Sequence, residues 1–253
     1  MSKMKRIGVV GLCLLVIVVS AGMAASSAYA GEYGRCVKEV GGPYEDANCT
    51  KEVAVGGEFK WVPGPGPKPQ YKSKSKAASI TAEIENPATG VLEAKTVTCK
   101  ASKDSGKITG VKTDTDTITF TGCAFEAKKC ASPGKKAGEI ETVALQTTLI
   151  DHGETGPFGV GEPAVGEVWT LFNAPLFGDI TEFTCGAFEI TVKDWVAGVT
   201  TPTNEMKKVF TTVFEAGKGI QHLVVEIKGV GTAVGVLKVT TTTKTKEAIE
   251  IKT

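Results

Sequence analysis

Lys112-Thr113-Asp114-Thr115-Asp116-Thr117-Ile118-Thr119-Phe120-Thr121 is the stretch that decides the fold class. Its period is two. Thr113, Thr115, Thr117, Thr119 and Thr121 fall on one face, while Asp114, Asp116, Ile118 and Phe120 fall on the other. Only an extended strand turns successive side chains to opposite sides, so these residues read as a strand with solvent-facing hydroxyls. Threonine supports this, because its branched Cβ fits a pleated, half-exposed surface better than a helix.

Working outward, the same alternation returns in Ser79-Ile80-Thr81-Ala82-Glu83-Ile84 and in Glu189-Ile190-Thr191-Val192. It is seen again in Leu223-Val224-Val225-Glu226-Ile227 and in Val236-Leu237-Lys238-Val239-Thr240. Glycines punctuate these runs as strand-turn-strand architecture requires. Residues 203–217 fit both periods. Met206, Val209, Phe210, Val213 and Phe214 match a helical face, whereas Phe210, Thr212 and Phe214 share a strand face, and the Thr/Val content favours strand. The chain is expected to be all-β, an antiparallel β sandwich or partly closed barrel with a small N-terminal disulfide loop. Ile118, Phe120, Ile190, Val192, Leu223, Val225 and Ile227 are its expected core.

Residues 1–30 read as a secretory signal peptide. Lys3, Lys5 and Arg6 precede a charge-free apolar run, and Ala28-Tyr29-Ala30 supplies the cleavage site. Removing them leaves 253 − 30 = 223 residues, with 29 − 3 = 26 basic against 28 acidic side chains. Residues 31–62 form a Cys-loop segment, 63–70 a Pro/Gly spacer that reads as extended, and 71–253 the β domain. Tyr71-Lys72-Ser73-Lys74-Ser75-Lys76 reads as a solvated basic edge.

Six cysteines remain: Cys36, Cys49, Cys99, Cys123, Cys130 and Cys185. An even number in an exported chain points to structural disulfides, since space outside the cytoplasm is oxidising. Six cysteines allow fifteen pairings. Cys36 with Cys49, Cys123 with Cys130, and Cys99 with Cys185 is the pairing that the spacing favours.

Chemistry is scarce. The near-neutral balance and the single remaining arginine, Arg35, argue against nucleic acid as partner. No nucleophile elbow, phosphate loop or dinucleotide fingerprint occurs, and His152 and His222 are the only histidines. His152 falls in a Gly/Pro-rich stretch that reads as a solvated loop. Glu139 and Glu141 alternate on one strand face and are the best paired carboxylates, with Ile140 turned inward and Glu182 and Glu189 as weaker candidates. Asp114-x-Asp116 could contribute to a calcium site. The threonine ladder would need several strands in register to order ice, and no internal repeat supplies them. For stacking on sugars, Trp61 and Tyr71 are the rings expected to be exposed, with Tyr33 and Tyr44 as further candidates and Trp169 and Trp195 as alternatives. Of these Trp169 is expected in the core.

Several motifs run together along the chain: Gly-Gly-Pro-Tyr at 41–44, Asn48-Cys49-Thr50, Thr96-Val97-Thr98-Cys99, Phe120-Thr121-Gly122-Cys123 and Glu247-Ala248-Ile249-Glu250-Ile251-Lys252. In these the chain resembles a group of exported, six-cysteine, Thr-rich β proteins from high-GC Gram-positive soil bacteria. The resemblance implies export and a disulfide-bonded β fold, and it carries no catalytic residue. The expected function is non-enzymatic: an exported β module, envelope-associated or binding an extracellular polymer or protein. It would need no cofactor and touch no membrane once the leader is cleaved. A secreted glycan-active enzyme using paired carboxylates and a calcium-stabilised adhesion domain are the alternatives.

Overall fold

The structure is a computed structural model that describes residues 31–86, 88–159 and 161–253. The expected leader, residues 1–30, lies outside the described residues. The rest is antiparallel β throughout, with no α-helix among the described residues.

Strands β1 (Glu32–Tyr44) and β2 (Glu52–Pro63) form an N-terminal hairpin. β3 (Gln70–Ser75) and β4 (Ala78–Glu85) follow one another along the same neighbour, and so do β5 (Leu92–Cys99) and β6 (Ala101–Ile108). β7 (Thr113–Thr121) leads into β8 (Ala124–Phe125). β9 (Lys128–Ala131), β10 (Glu139–Glu141) and β11 (Leu145–Asp151) run back along them. β12 (Val168–Asn173) continues into β13 (Asp179–Cys185), both lying on β14 (Phe188–Thr201). β15 (Lys207–Phe214) and β16 (Ile220–Ile227) fill the space between β14 and β17 (Gly231–Lys252).

Twelve of these strands close into a ring that is not a regular barrel. The register explains the irregularity. Segments that continue each other merge into eight antiparallel runs, each paired with its sequence neighbours, and β17 closes on β3 and β4. Excursions at residues 132–138, 174–178 and 215–219 interrupt three of the runs. Closure removes most strand edges, though the outer end of β5, residues 92–96, is paired with β4 alone.

Inside, the half away from the hairpin is apolar. Ile190, Val192, Leu223, Val225 and Ile227 are buried there as expected, with Ile118 and Phe120 partly buried against them. Residues 203–217 supply strand β15, with Phe210, Thr212 and Phe214 turned inward. A second apolar group, including Tyr33, Tyr71, Ile108, Phe210 and Ile251, sits at the hairpin end. A third lies on the outer wall, where Trp169, Leu171, Trp195 and Ala197 pack with Ile150. Trp169 is thus buried, though outside the ring. The loop expected to be solvated around His152 lies partly over this wall: Pro163 is fully buried, while His152 is exposed.

All six cysteines are bridged, but only Cys36–Cys49 joins the pair favoured by spacing. Cys99 pairs with Cys123, and Cys130 with Cys185. Register decides this. Cys130 and Cys185 are cross-strand partners of β9 and β13, and Cys123 follows the turn that returns the chain beside Cys99. Closeness in sequence misled for Cys123 and Cys130: the β8–β9 hairpin does set them opposite each other, with the Cys130 amide donating to the Cys123 carbonyl, but each sulfur bonds to a cysteine of another strand.

Trp61 and Tyr71, expected to be exposed, are both buried. Tyr71 lies in a strand whose burial alternates strictly, so Lys72 and Lys74 face water and Tyr71, Ser73 and Ser75 face in. The Trp61 ring rests on Gly34, where no side chain competes, with the Lys252 ammonium 4.4 Å from the ring centre. In the Cys36–Cys49 loop, Asp46 accepts hydrogen bonds from the amides of Lys51, Thr50 and Asn48, which with the Thr50 hydroxyl lower its pKa to about 2.

Candidate functional site: a polar belt inside the ring

Each of the eight runs turns a hydroxyl or a carboxyl inward at one level. Ser73 comes from β3, Asp104 from β6, Asp114 and Asp116 from β7, and Thr147 from β11. Thr170, Thr200, Thr212 and Thr243 complete the circuit from β12, β14, β15 and β17. Hydrogen bonds link part of it: Thr170 to Thr200 at 2.7 Å, Thr200 to Thr212 at 2.9 Å, and Ser73 to Thr243 at 2.9 Å. A polar side chain at a core position costs stability unless it is partnered, so nine in one belt ask for an explanation.

The carboxylates are the focus. Asp114 accepts hydrogen bonds from the Tyr33 hydroxyl at 2.6 Å and from the Tyr71 hydroxyl. Burial and the Asp114 charge raise the pKa of both tyrosines, which therefore remain donors. Asp104 and Asp116 stand diagonally on neighbouring strands, since Gly106 pairs with Asp116 and Asp104 with Ile118. Burial, and for Asp116 the neighbouring Asp104, raise these acids to about 6 and about 8 respectively. Burial raises Asp114 as well. One oxygen of Asp104 and one of Asp116 have no hydrogen-bond partner among the described residues. Both aspartates line a cavity of about 150 Å³ that extends into the apolar half towards Phe172, Val196 and Leu223.

Gly106 makes the arrangement sterically possible. A Cβ there would lie 2.1 Å from Cζ of Tyr71 and 2.6 Å from the carbonyl oxygen of Thr115. The bare backbone lets the Tyr71 ring lie flat across the wall and reach Asp114. Gly106→Ala is expected to destabilise by about 1–3 kcal/mol through overpacking, read as a lower urea midpoint with an unchanged slope.

The sequence-derived candidates fare unevenly. Asp114 and Asp116 do share a face, but that face is the interior, and two tyrosines already occupy Asp114. Among the described residues, no group of three His, Cys, Asp or Glu side chains is arranged to hold a metal. Glu139 and Glu141 lie on an outward face, with Ile140 buried, and Glu141 is paired with Lys135 at 2.6 Å. Glu182 is exposed, and Glu189 is bound to Lys228 at 2.7 Å. His152 sits 3.1 Å from both Glu162 and the Pro163 carbonyl. His222 stacks on Trp195, which is fully buried. Tyr44 is half-buried at the end of the N-terminal hairpin.

Sequence reading missed Asp104, Ser73, Thr170, Thr200 and Thr212. A signal existed for three of them. Ser73 and Asp104 each alternate with outward lysines, which makes them inward polar residues. Thr212 is marked as inward by its place between Phe210 and Phe214, but nothing local marks Thr170 or Thr200, whose level in the ring follows from register alone. The chain matches no protein-family model, no curated protein and no solved structure.

Proposed function

We propose that this is an exported, non-enzymatic binding module whose interior takes a small amphiphilic molecule, its apolar body among Phe172, Val196 and Leu223 and a hydrogen-bond-donating end at Asp104 and Asp116. The observation that carries the reading is the pair of buried carboxyl oxygens without a partner among the described residues, at the polar end of an apolar cavity. Such atoms favour a ligand that brings donors, an amine above all. A ring of eight antiparallel runs has the girth of a small barrel, which is filled by side chains or holds one small ligand. About 150 Å³ is the size at which an apolar cavity accepts a benzene-sized guest.

The three bridges are consistent with a place outside the cytoplasm. Raised carboxyl pKa values also occur in glycan-cleaving sites. Here, however, the raised acids line an interior cavity of about 150 Å³, too small for a polymer, and Glu139 and Glu141 face away from it. The geometry therefore favours binding over catalysis.

The test is a thermal-shift and calorimetric series with hexylamine, hexanol and hexanoate at pH 7.5. Hexylamine is expected to raise the melting temperature most and hexanoate not at all. Val196→Phe, which fills the cavity, should abolish the effect, and Asp104→Asn should weaken it at least tenfold. Equal shifts with all three compounds, or none with any, would overturn the proposal.

A further inference from the structure

The outer face of the same wall carries a different chemistry. β17, β3 and β6 lie side by side, and their outward residues fall into three cross-strand rows. Lys246 and Lys107 flank Gln70 in the first row, Lys244 faces Lys72 in the second, and Lys74 faces Lys103 in the third. Lys208 on β15 stands beside Lys244. All seven lysines are exposed, and none forms an ion pair among the described residues. Five of them (Lys72, Lys107, Lys208, Lys244 and Lys246) line a groove of about 740 Å³. The groove's only acid is Asp116, which is buried beneath it and held largely protonated at neutral pH.

Like charges directly opposite on paired strands are destabilising, yet the fold places two such pairs, Lys72 with Lys244 and Lys74 with Lys103, on adjacent runs. The whole chain is close to neutral at +1, so this concentration is local and invisible in the composition. Rows two residues apart along a strand lie about 6.6–6.8 Å from one another. The outward residues between the lysines are Gln70, Ser105, Thr115, Thr117 and Thr242, and the one ring lining the groove, Tyr71, is buried beneath it. Bases would find nothing to stack on, and a bilayer no apolar wedge in these rows.

We propose that this lysine face binds a linear polyanion whose phosphate charges repeat every 6–7 Å or so and which carries no bases, such as a polyol-phosphate chain of a cell envelope. The polymer lies along the strands and meets one row of ammonium groups per repeat. This inference is independent of the interior site, since the lysines and Asp104 point to opposite sides of the wall.

The experiment is calorimetric titration of the full chain with a glycerol-phosphate oligomer of about eight units. Oligo-dT of equal charge, anionic phospholipid vesicles and neutral dextran serve as comparisons. With three rows meeting three phosphates, the affinity should fall with salt at a log–log slope of about −2, by analogy with single-stranded phosphate polymers. Lys72→Gln/Lys244→Gln should weaken binding at least tenfold while leaving the melting temperature unchanged or higher, because it relieves repulsion. Lys38→Gln, on the hairpin, should change neither. The proposal is overturned if the glycerol-phosphate oligomer is not bound at 50 mM salt. It is equally overturned if Lys38→Gln weakens binding as much as the paired variant does, or if oligo-dT or vesicles bind more tightly.

Discussion

Raising the pH from 5 to 9 lowers the melting temperature, which is the reverse of what most carboxylate-bearing proteins show over the lower part of that range. The cause lies in the belt. Asp104 and Asp116 have folded-state pKa values of about 6 and about 8, above the value near 3.9 of an unfolded chain. Between the unfolded and folded values the native state holds more protons than the unfolded one, so stability falls as pH rises. The contribution is intact below about pH 4 and is lost progressively as the pH passes through 6 and then 8. The loss is on the order of a few kcal/mol, or about 10 °C for a chain of this length. Asp116→Asn, which cannot ionise, should flatten the curve above pH 6 and melt higher than the parent at pH 9. Differential scanning calorimetry at five pH values reads this directly, and a flat or rising profile from pH 5 to 9 would show that the two acids are not buried as described.

Loss of the Cys130–Cys185 bridge is expected to be the costliest single covalent change. It closes a loop of 55 residues, against 24 for Cys99–Cys123 and 13 for Cys36–Cys49. Chain-entropy reasoning gives about 4 kcal/mol for the longest and about 3 kcal/mol for each of the others. Position adds a second reason. Cys130–Cys185 joins β9 to β13 where only two register pairs hold those strands, so the bridge reinforces a thin part of the ring. Cys130→Ala/Cys185→Ala should therefore lower the urea midpoint more than Cys36→Ala/Cys49→Ala, whose loop lies outside the ring. An equal loss from the two double variants would refute the ranking. Mass mapping of non-reduced peptides, which must show 99 with 123 and 130 with 185, checks the connectivity itself.

Strand character was legible because it is written locally. The alternation at 113–121 and in Leu223–Ile227 comes from the pleat, and the structure keeps each face as read. Even the doubtful 207–214 stretch resolves as a strand, because Phe210 and Phe214 need one common interior. The disulfide partners were less legible. Cys99 meets Cys123, and Cys130 meets Cys185, only because strands far apart in sequence are brought into register. The basic run at 71–76 shows the same limit. Half of it does face water as a solvated edge would, but its meaning comes from Lys103, Lys107, Lys244 and Lys246 on other strands, more than twenty-five residues away.

By itself, then, the sequence determined that the chain is extended, punctuated by turns and supplied with an even set of cysteines, because backbone period and turn chemistry act over a few residues. Tertiary structure decided which face of each strand became the interior and which residues share a level around the ring. Those depend on register between strands, a long-range property that no local pattern encodes. That is why one wall can carry buried carboxylates on its inner side and unpaired lysines on its outer side while the composition records only a balance near zero.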